Sequence, residues 1–205
     1  MNYQDFKKQL ADIKTLNKKP TLLLHSCCGP CSSYVLTFLN DYFDITILYY
    51  NPNIYPKEEF DKRLETQKDI IKKLKFNVEV LTLNYDFNEY ASVVKGYENL
   101  GEFSQRSYEC YKFRILKCSE IATKKHFDYF TTTLSISPYK NSDWINEIGY
   151  EVEDQAKYLY SNFKKEDGYK KSIALSKEYE LYRQDYCGCP YSYEEHQERL
   201  KVKKC

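Results

Sequence analysis

The sequence has no long apolar run. No stretch of its 205 residues approaches the length needed to cross a membrane, and residues 1–19 are charged and lack the apolar segment of a signal peptide. We therefore expect a cytoplasmic protein without a membrane partner. In that reducing compartment the eight cysteines are not expected to form a structural disulfide framework. Metal or redox chemistry is their favoured role.

The chain also lacks an excess of charge of either sign. Its 31 Lys and Arg residues are balanced by 30 Asp and Glu, giving a net charge of +1. This balance does not mark a nucleic-acid-binding protein, but it is compatible with local basic patches. Tyrosine and phenylalanine are abundant, at 22 and 11 residues. Aromatic packing is the commoner explanation of such a content, and a surface that stacks on bases is the alternative.

Internal repeats and low-complexity segments are absent too. A chain of 205 residues with 42% hydrophobic residues can bury one substantial core, so residues 1–205 are predicted to form a single domain. The patterns predict strands at 20–25, 43–50, 77–83 and 127–134, and helices at 32–39, 56–74, 87–97 and 110–126. Strands that alternate with helices predict an α/β fold, in which a parallel sheet has helices on both faces.

The pattern changes after the fourth predicted strand. Residues 141–205 are predicted to be a mainly helical C-terminal extension that ends in a helix at 193–203. The loop at 26–31 follows the first predicted strand, and ligands of parallel sheets bind beyond the carboxyl ends of the strands. We therefore expect this loop, which is rich in cysteine, to lie at a functional site.

The first cysteine motif consists of Cys27 and Cys28, followed by Gly29, Pro30 and Cys31. Adjacent side chains of an extended segment point to opposite sides, so the first two sulfurs reach one metal site only if the backbone turns sharply. The glycine and the proline supply such a turn. A cluster of several irons also suits this motif, because neighbouring thiolates can bind different irons.

The second motif contains Asp185, Cys187 and Cys189, with Gly188 between the cysteines. Residues two apart in an extended segment face the same way, so an oxygen and two sulfurs are predicted to lie in one line. Such a set can bind one metal with an open position. Alternatively, the two cysteines can close to a strained disulfide.

Other candidates have simpler explanations. A structural zinc site usually shows two C-x-x-C pairs, and this chain lacks two such pairs, having Cys28 and Cys31 alone in that spacing, which disfavours zinc. Cys118 lies in a predicted amphipathic helix and is expected in the core, and Cys205 is expected to be an idle, exposed thiol. His25 precedes the first motif, and its role is either catalytic or structural.

Six segments, taken together, resemble the epoxyqueuosine reductase QueH family over about residues 20–193. They are 25–32, 50–54, 110–114, 131–141, 163–169 and 182–189. The resemblance implies an enzyme that catalyses the last step of queuosine formation in tRNA. In this step epoxyqueuosine at the wobble position is reduced by two electrons and loses its epoxide oxygen, and the family does not use cobalamin. It also implies a sheet like that of adenine-nucleotide-binding pyrophosphatases (HUP-like), with the cysteine motif replacing their glycine-rich phosphate loop.

The resemblance implies a [4Fe-4S] cluster bound by Cys27, Cys28 and a C-x-x-C pair that ends at Cys110. The first position of that pair is Ser107 in this chain, and a serine oxygen is a poor substitute for a thiolate on iron. Several outcomes stay open: a cluster with one open iron, recruitment of Cys31 or Cys189, or an artificial substitution at this position.

The resemblance also implies a second site at Asp185, Cys187 and Cys189. It either binds an additional, mononuclear iron or forms a redox-active disulfide, and we expect it to meet the epoxide. His25 or Tyr139 is expected to protonate the departing oxygen. The electron donor is unidentified, and the tRNA is expected to contact Arg106, Arg114, Lys140, Lys164, Lys165 and Arg183.

Two other functions compete with this prediction. One is an iron-sulfur enzyme that thiolates tRNA, but such enzymes keep a glycine-rich loop for ATP, which this chain lacks. The other is a non-catalytic, zinc-stabilised tRNA-binding module, which iron and sulfide in anaerobically purified protein would exclude.

Overall fold

A computed structural model describes residues 1–202 of the chain, so Cys205 lies outside the described residues. The strands are β1 (Thr21–His25), β2 (Asp44–Tyr49), β3 (Glu79–Thr82), β4 (Tyr129–Thr132) and β5 (Lys157–Tyr158). The helices are α1 (Tyr3–Lys14), α2 (Gly29–Leu39), α3 (Lys57–Leu74), α4 (Phe87–Val93), α5 (Gln105–Lys124), α6 (Ser142–Glu151), α7 (Gly168–Glu178) and α8 (Pro190–Val202), and a 3₁₀ turn spans Thr133–Ile136.

The five strands form one sheet in the order β3-β2-β1-β4-β5, and every pairing is parallel. Strand β1 lies in the middle, and its apolar residues are all buried, as expected for a central strand of a parallel sheet. Leu22 and Leu24 face one core, beneath α1 and α2, while Leu23 faces a second core beneath α5 and α6. The predicted α/β fold with helices on both faces is confirmed.

The region after residue 141 is joined to this sheet. Strand β5 extends the sheet beside β4, α6 packs on α5, and α7 packs on α2. The strand was not predicted, because its two residues are too short for an apolar period to show. None of the helices that the structure describes is long and apolar enough to cross a membrane.

Helix α5 begins five residues before the predicted start at residue 110, at Gln105. Ser107 and Cys110 therefore lie one turn apart on the same helix, and residues spaced in this way share a face. Helix α2 likewise begins at Gly29, within the first cysteine motif. The cysteines of this motif thus occupy a strand-to-helix junction at the carboxyl edge of the sheet.

Candidate functional site

Cys27, Cys28 and Cys31 form a compact group of thiols at the N-terminus of α2. Their sulfur atoms all lie within 4.8 Å of one another, and no other group of metal-binding side chains in residues 1–202 is as close. Cys28 is 0% exposed, Cys27 is buried, and Cys31 is half-buried. The N-terminus of a helix favours thiolates, so this junction suits metal binding.

The three thiols differ in their acidity. Hydrogen bonds from Cys28 and Cys31 hold the pKa of Cys27 well below its usual range. The same contact with Cys27 raises the pKa of Cys28 to about 12, and it also raises the pKa of Cys31. The group thus contains one readily formed thiolate, Cys27, which accepts hydrogen bonds from the other two thiols. Each thiol loses its proton when it binds a metal.

Neighbouring elements hold the backbone of this junction. The hydroxyl groups of Ser26 and Ser32 donate to Oε1 of Gln67 on α3, at 2.7 and 2.8 Å. Asn51, which follows β2, donates from Nδ2 to the Ser26 carbonyl at 2.8 Å. A side chain at Gly29 would place its Cβ 2.7 Å from the Thr66 carbonyl oxygen, so α2 and α3 approach here more closely than any larger residue allows.

The second motif lies in the loop between α7 and α8, and its three donors do not converge. Asp185 and Cys187 line a cavity of about 290 Å³, which Cys27 and Cys31 also line. Cys189 lines a separate cavity of about 30 Å³, to which Cys187 also contributes. Gly188, with φ of +134°, turns the chain between the two cysteines, so the extended line expected from the spacing is interrupted.

Arg63 holds this loop in place. Its side chain is 1% exposed, and its Nη1 and Nη2 donate to the carbonyls of Cys187 and Tyr186 at 3.0 and 3.3 Å. Its Nε donates to Glu59 at 2.7 Å, and the Tyr182 hydroxyl donates to the same carboxylate at 2.8 Å. Sequence reasoning missed this network, because Glu59 and Arg63 are spaced like an ordinary exposed ion pair on a helix.

Every cysteine of the two cavities outside the compact thiol group has a polar neighbour at its sulfur. Lys140 Nζ donates to Cys187 Sγ and Arg114 Nη2 to Cys110 Sγ, both at 3.3 Å. Cys189 Sγ donates to the Ser192 hydroxyl at 3.3 Å. All seven cysteines within residues 1–202 are free, and Cys118 is a core residue, as predicted.

Cys110 and Ser107 line the smaller cavity rather than the larger one. Burial raises the pKa of the Cys110 thiol to about 11, although the Arg114 guanidinium beside it acts in the opposite direction. The four positions that the resemblance implies for a cluster are therefore divided: Cys27 and Cys28 belong to the thiol group on α2, and the other two belong to α5.

The two expected proton donors have very different surroundings. His25 is 0% exposed and lines neither cavity; its Nδ1 pairs with the Thr132 hydroxyl at 2.8 Å and its Nε2 with the Tyr50 carbonyl at 3.2 Å. Burial, together with Arg114, lowers the pKa of His25 to about 4. Tyr139 is 65% exposed and lines both cavities, so it can reach a bound substrate.

The cations expected to contact RNA also fall into groups. Lys140 and Arg183 line the larger cavity, and Lys165 is exposed. Half-buried Lys164 donates to the Lys140 carbonyl at 2.8 Å. Arg106 and Arg114 are buried on α5, where Arg106 donates to the Glu98 carbonyl at 2.7 Å and lies over the Tyr191 ring.

Helix α8 and the loop before it add residues that sequence reasoning missed. Arg199 and His196 of α8 line the larger cavity, and Gln184 donates from Nε2 to Cys28 Sγ at 3.1 Å. No motif signals Arg199 and His196, because only the fold brings α8 over the thiol group; Gln184 lies within the segment 182–189, but its sequence position gives it no role. A cavity of this size and lining can receive a nucleobase-sized ligand beside several thiols.

Comparisons with known proteins agree with this architecture. Residues 22–195 match the family model described as "Epoxyqueuosine reductase QueH". The protein of that name from Streptococcus pyogenes is 38% identical over 199 residues, which cover 94% of this chain and 78% of the relative. The Thermotoga maritima protein of the same name is 35% identical over 182 residues, covering 87% of this chain and 93% of the relative.

Among solved structures, the U34-tRNA thiolase NcsA from Methanococcus maripaludis with its [4Fe-4S] cluster covers 93% of this chain and 69% of its own. The identity is 14% and the TM-score 0.49, so this likeness transfers neither the cluster nor the reaction. The family match rests instead on the sequence relatives, which cover most of both chains. The chain belongs to the epoxyqueuosine reductase QueH family.

Proposed function

We propose that this protein reduces epoxyqueuosine to queuosine at the wobble position of tRNA, without cobalamin. The epoxide accepts two electrons and two protons, both of its C–O bonds break, and a cyclopentene and water are formed. Membership of the family supports the reaction. The observation that supports its location best is that Cys27, Cys31 and Cys187, from two distant motifs, line one cavity.

The donor set of the site suits an iron-sulfur cluster. Cys27, Cys28 and Cys110 are buried thiols, and cysteine thiolates are the usual ligands of such clusters. Gln184 and Arg114 donate hydrogen bonds to sulfur atoms of this set, and hydrogen bonds to sulfur tune the reduction potential of a cluster. When bound, a [4Fe-4S] cluster supplies electrons one at a time, and an external donor must replenish them.

The second motif is the part of the site that we assign to the epoxide. Asp185 and Cys187 line the larger cavity, where a substrate can enter. With Cys189, these residues would hold a mononuclear iron, or the two cysteines would act as a redox dithiol. The ammonium group of Lys140 lies 3.3 Å from Cys187 Sγ, and its positive charge would stabilise negative charge on an epoxide oxygen bound beside Cys187.

Tyr139 is our candidate for the proton donor, because its side chain lines the larger cavity and is largely exposed. A wobble base must be splayed out of the anticodon loop to enter, and aromatic rings and cations hold such bases. Our candidates for contacts to phosphates are Arg183 and Arg199, which line the larger cavity, and the exposed Lys165. A tRNA substrate implies that the reaction takes place in the cytoplasm.

Asp185→Ala and Cys187→Ala variants test this division of roles. Anaerobically reconstituted variants should keep the visible absorbance of the cluster, yet lose conversion of epoxyqueuosine to queuosine, measured by mass spectrometry of nucleosides from treated tRNA. The control is Asp154→Ala, which removes an exposed carboxylate outside both cavities. This variant should convert epoxyqueuosine as the wild type does.

Three results would contradict the proposal at different points. Loss of the absorbance in Cys187→Ala would make that residue a cluster ligand. Near-normal conversion in both variants would remove the second motif from the mechanism. A wild-type protein that holds its cluster and receives electrons, but converts no epoxyqueuosine, would overturn the function.

A further inference from the structure

We propose that Cys31 is a ligand of the iron-sulfur cluster, together with Cys27, Cys28 and Cys110, and that Ser107 is not. The inference rests on the proposed function for the presence of a cluster, and it concerns which residues of this chain bind it. A [4Fe-4S] cluster is normally held by four cysteine thiolates. The question is which sulfur completes the set.

The position of Cys31 favours it. The residue lies three positions after Cys28, so its side chain is on the same face of the helix N-terminus. Its sulfur is within 4.8 Å of the sulfurs of both Cys27 and Cys28, so rotation of these side chains must move the sulfurs apart for each to bind a different iron. Because three ligands then come from one strand-to-helix junction, the packing against α3 that fixes this junction also fixes their spacing.

Cys31 is also accessible in a way that a core thiol is not. It is half-buried and lines the larger cavity, whereas Cys118 is 1% exposed and packs in the core. Core packing accounts for Cys118 completely, whereas Cys31 packs on the edge of both cores and also opens to the cavity. A role as ligand explains both its closeness to two other thiols and its access to the cavity.

The competing positions are less suitable. Ser107 lies on α5 and lines the smaller cavity, and its hydroxyl is a weaker ligand for iron than a thiolate. Cys189 lines the same smaller cavity, and its sulfur donates to Ser192. Neither residue is part of the compact thiol group. Cys110 lines the smaller cavity too, but it is a buried thiol at a position that the resemblance implies for a ligand, whereas Ser107 has no thiolate and Cys189 belongs to the second motif.

Reconstitution of four proteins tests the assignment: wild type, Cys31→Ser, Cys189→Ser and the double variant Cys31→Ser/Ser107→Cys. Iron and acid-labile sulfide per chain, the visible spectrum and the electron paramagnetic resonance spectrum are measured under anaerobic conditions. Cys31→Ser should lose most of its iron or give the spectrum of a three-iron cluster. Cys189→Ser should keep the acid-labile sulfide and the cluster spectrum of the wild type, whether or not it loses a single iron of the second site. The double variant should regain iron and sulfide because a thiolate returns on α5.

Wild-type iron content and spectrum in Cys31→Ser would overturn the inference, and so would loss of the cluster in Cys189→Ser alone. A second measurement uses only the wild type, so it does not depend on the folding of a variant. Apo and reconstituted proteins are treated with iodoacetamide at alkaline pH, where a thiol of raised pKa also reacts, and the peptides are analysed by mass spectrometry. Cys31 should be alkylated in the apo protein and protected in the reconstituted one; equal alkylation in both would contradict the assignment.

Failure of this inference differs from failure of the proposed cofactor. If Cys31→Ser keeps its cluster while Cys27→Ala and Cys28→Ala lose theirs, only the role of Cys31 is wrong. If the wild type binds no iron or sulfide after reconstitution, the cofactor of the proposed function is wrong, and the inference about Cys31 is overturned with it.

Discussion

The smallest feature that shapes the site is the lack of a Cβ atom at Gly29. The position is conformationally ordinary, but a Cβ there would lie 2.7 Å from the carbonyl oxygen and 2.8 Å from Cγ2 of Thr66 on α3. Since the carbonyl belongs to the helix backbone, it cannot move aside without displacing α3. The contact therefore determines how closely the thiol group on α2 approaches the body of the protein.

We expect Gly29→Ala to lower the free energy of unfolding by about 1–3 kcal/mol, the range usual for overpacking. Because α2 must move away from α3, the variant should also take up less iron on reconstitution. Gly101→Ala is the matched control, since no atom lies within 4 Å of its added Cβ. Denaturant unfolding and iron analysis measure the two effects. Wild-type stability and iron content in both variants would contradict this prediction.

A second prediction at this scale concerns the hydroxyl of Tyr139. Tyr139→Phe should keep the ring for stacking on the substrate but remove the proton donor, and turnover should fall by about 100-fold or more. The affinity for tRNA should change little. Tyr169→Phe, which alters another tyrosine of the larger cavity, is the control, and equal turnover in both variants would exclude Tyr139 as the donor.

At the scale of elements, α3 connects the sheet to the loop of the second motif. The buried Glu59 and Arg63 of this helix hold the backbone of Tyr186 and Cys187, as described above. Breaking a buried pair leaves one charge uncompensated, which is far more costly than losing an exposed pair. Helix α3 thus supports both cysteine motifs, one through Thr66 and Gln67 and the other through Arg63.

Glu59→Gln should therefore lower the free energy of unfolding by about 3–5 kcal/mol. It should also make the loop around Cys187 more sensitive to limited proteolysis. Asp61→Asn breaks the exposed pair of Lys57 and Asp61 on the same helix and should cost no more than about 1 kcal/mol. Equal losses in the two variants, measured by denaturant titration, would mean that the buried pair does not hold the loop.

The elements also show what sequence reasoning can reach. The alternation of strands and helices predicted the sheet and the position of the first motif, because buried strands have a strong apolar signal. The two-residue strand β5 and the start of α5 at Gln105 were not predicted, since short elements and element ends carry little periodicity. The role of Arg63 could not be predicted either, because its partners are carbonyls more than 100 residues away along the chain.

At the scale of the whole molecule, the charge balance of the chain extends to the carboxyl edge of the sheet. Lys140, Arg183 and Arg199 line the larger cavity there, together with Glu102, Asp185 and Glu195. A polyanion would therefore meet separate cations among carboxylates rather than a uniform basic patch. Exposed cations near the cavity should affect RNA binding, while those at the opposite edge should not.

We expect Lys165→Ala and Arg199→Ala each to weaken tRNA binding and to reduce the dependence of affinity on salt by about one counterion. Both side chains are exposed, so folding should be unaffected. Lys124→Ala, at the amino edge of the sheet, should leave both quantities unchanged. Binding measured at several salt concentrations decides the matter: an unchanged salt dependence in both variants would place the RNA elsewhere.

The wide separation of the cysteines along the chain has a consequence for biogenesis. During translation, residues 27–31 leave the ribosome first, Cys110 follows, and the loop with Cys187 is made late. The nascent protein therefore presents an uncovered set of thiols until the late loop docks on α3. Cells that make this protein must protect these thiols from oxidation, or deliver iron and sulfide to them, before that loop closes over the site.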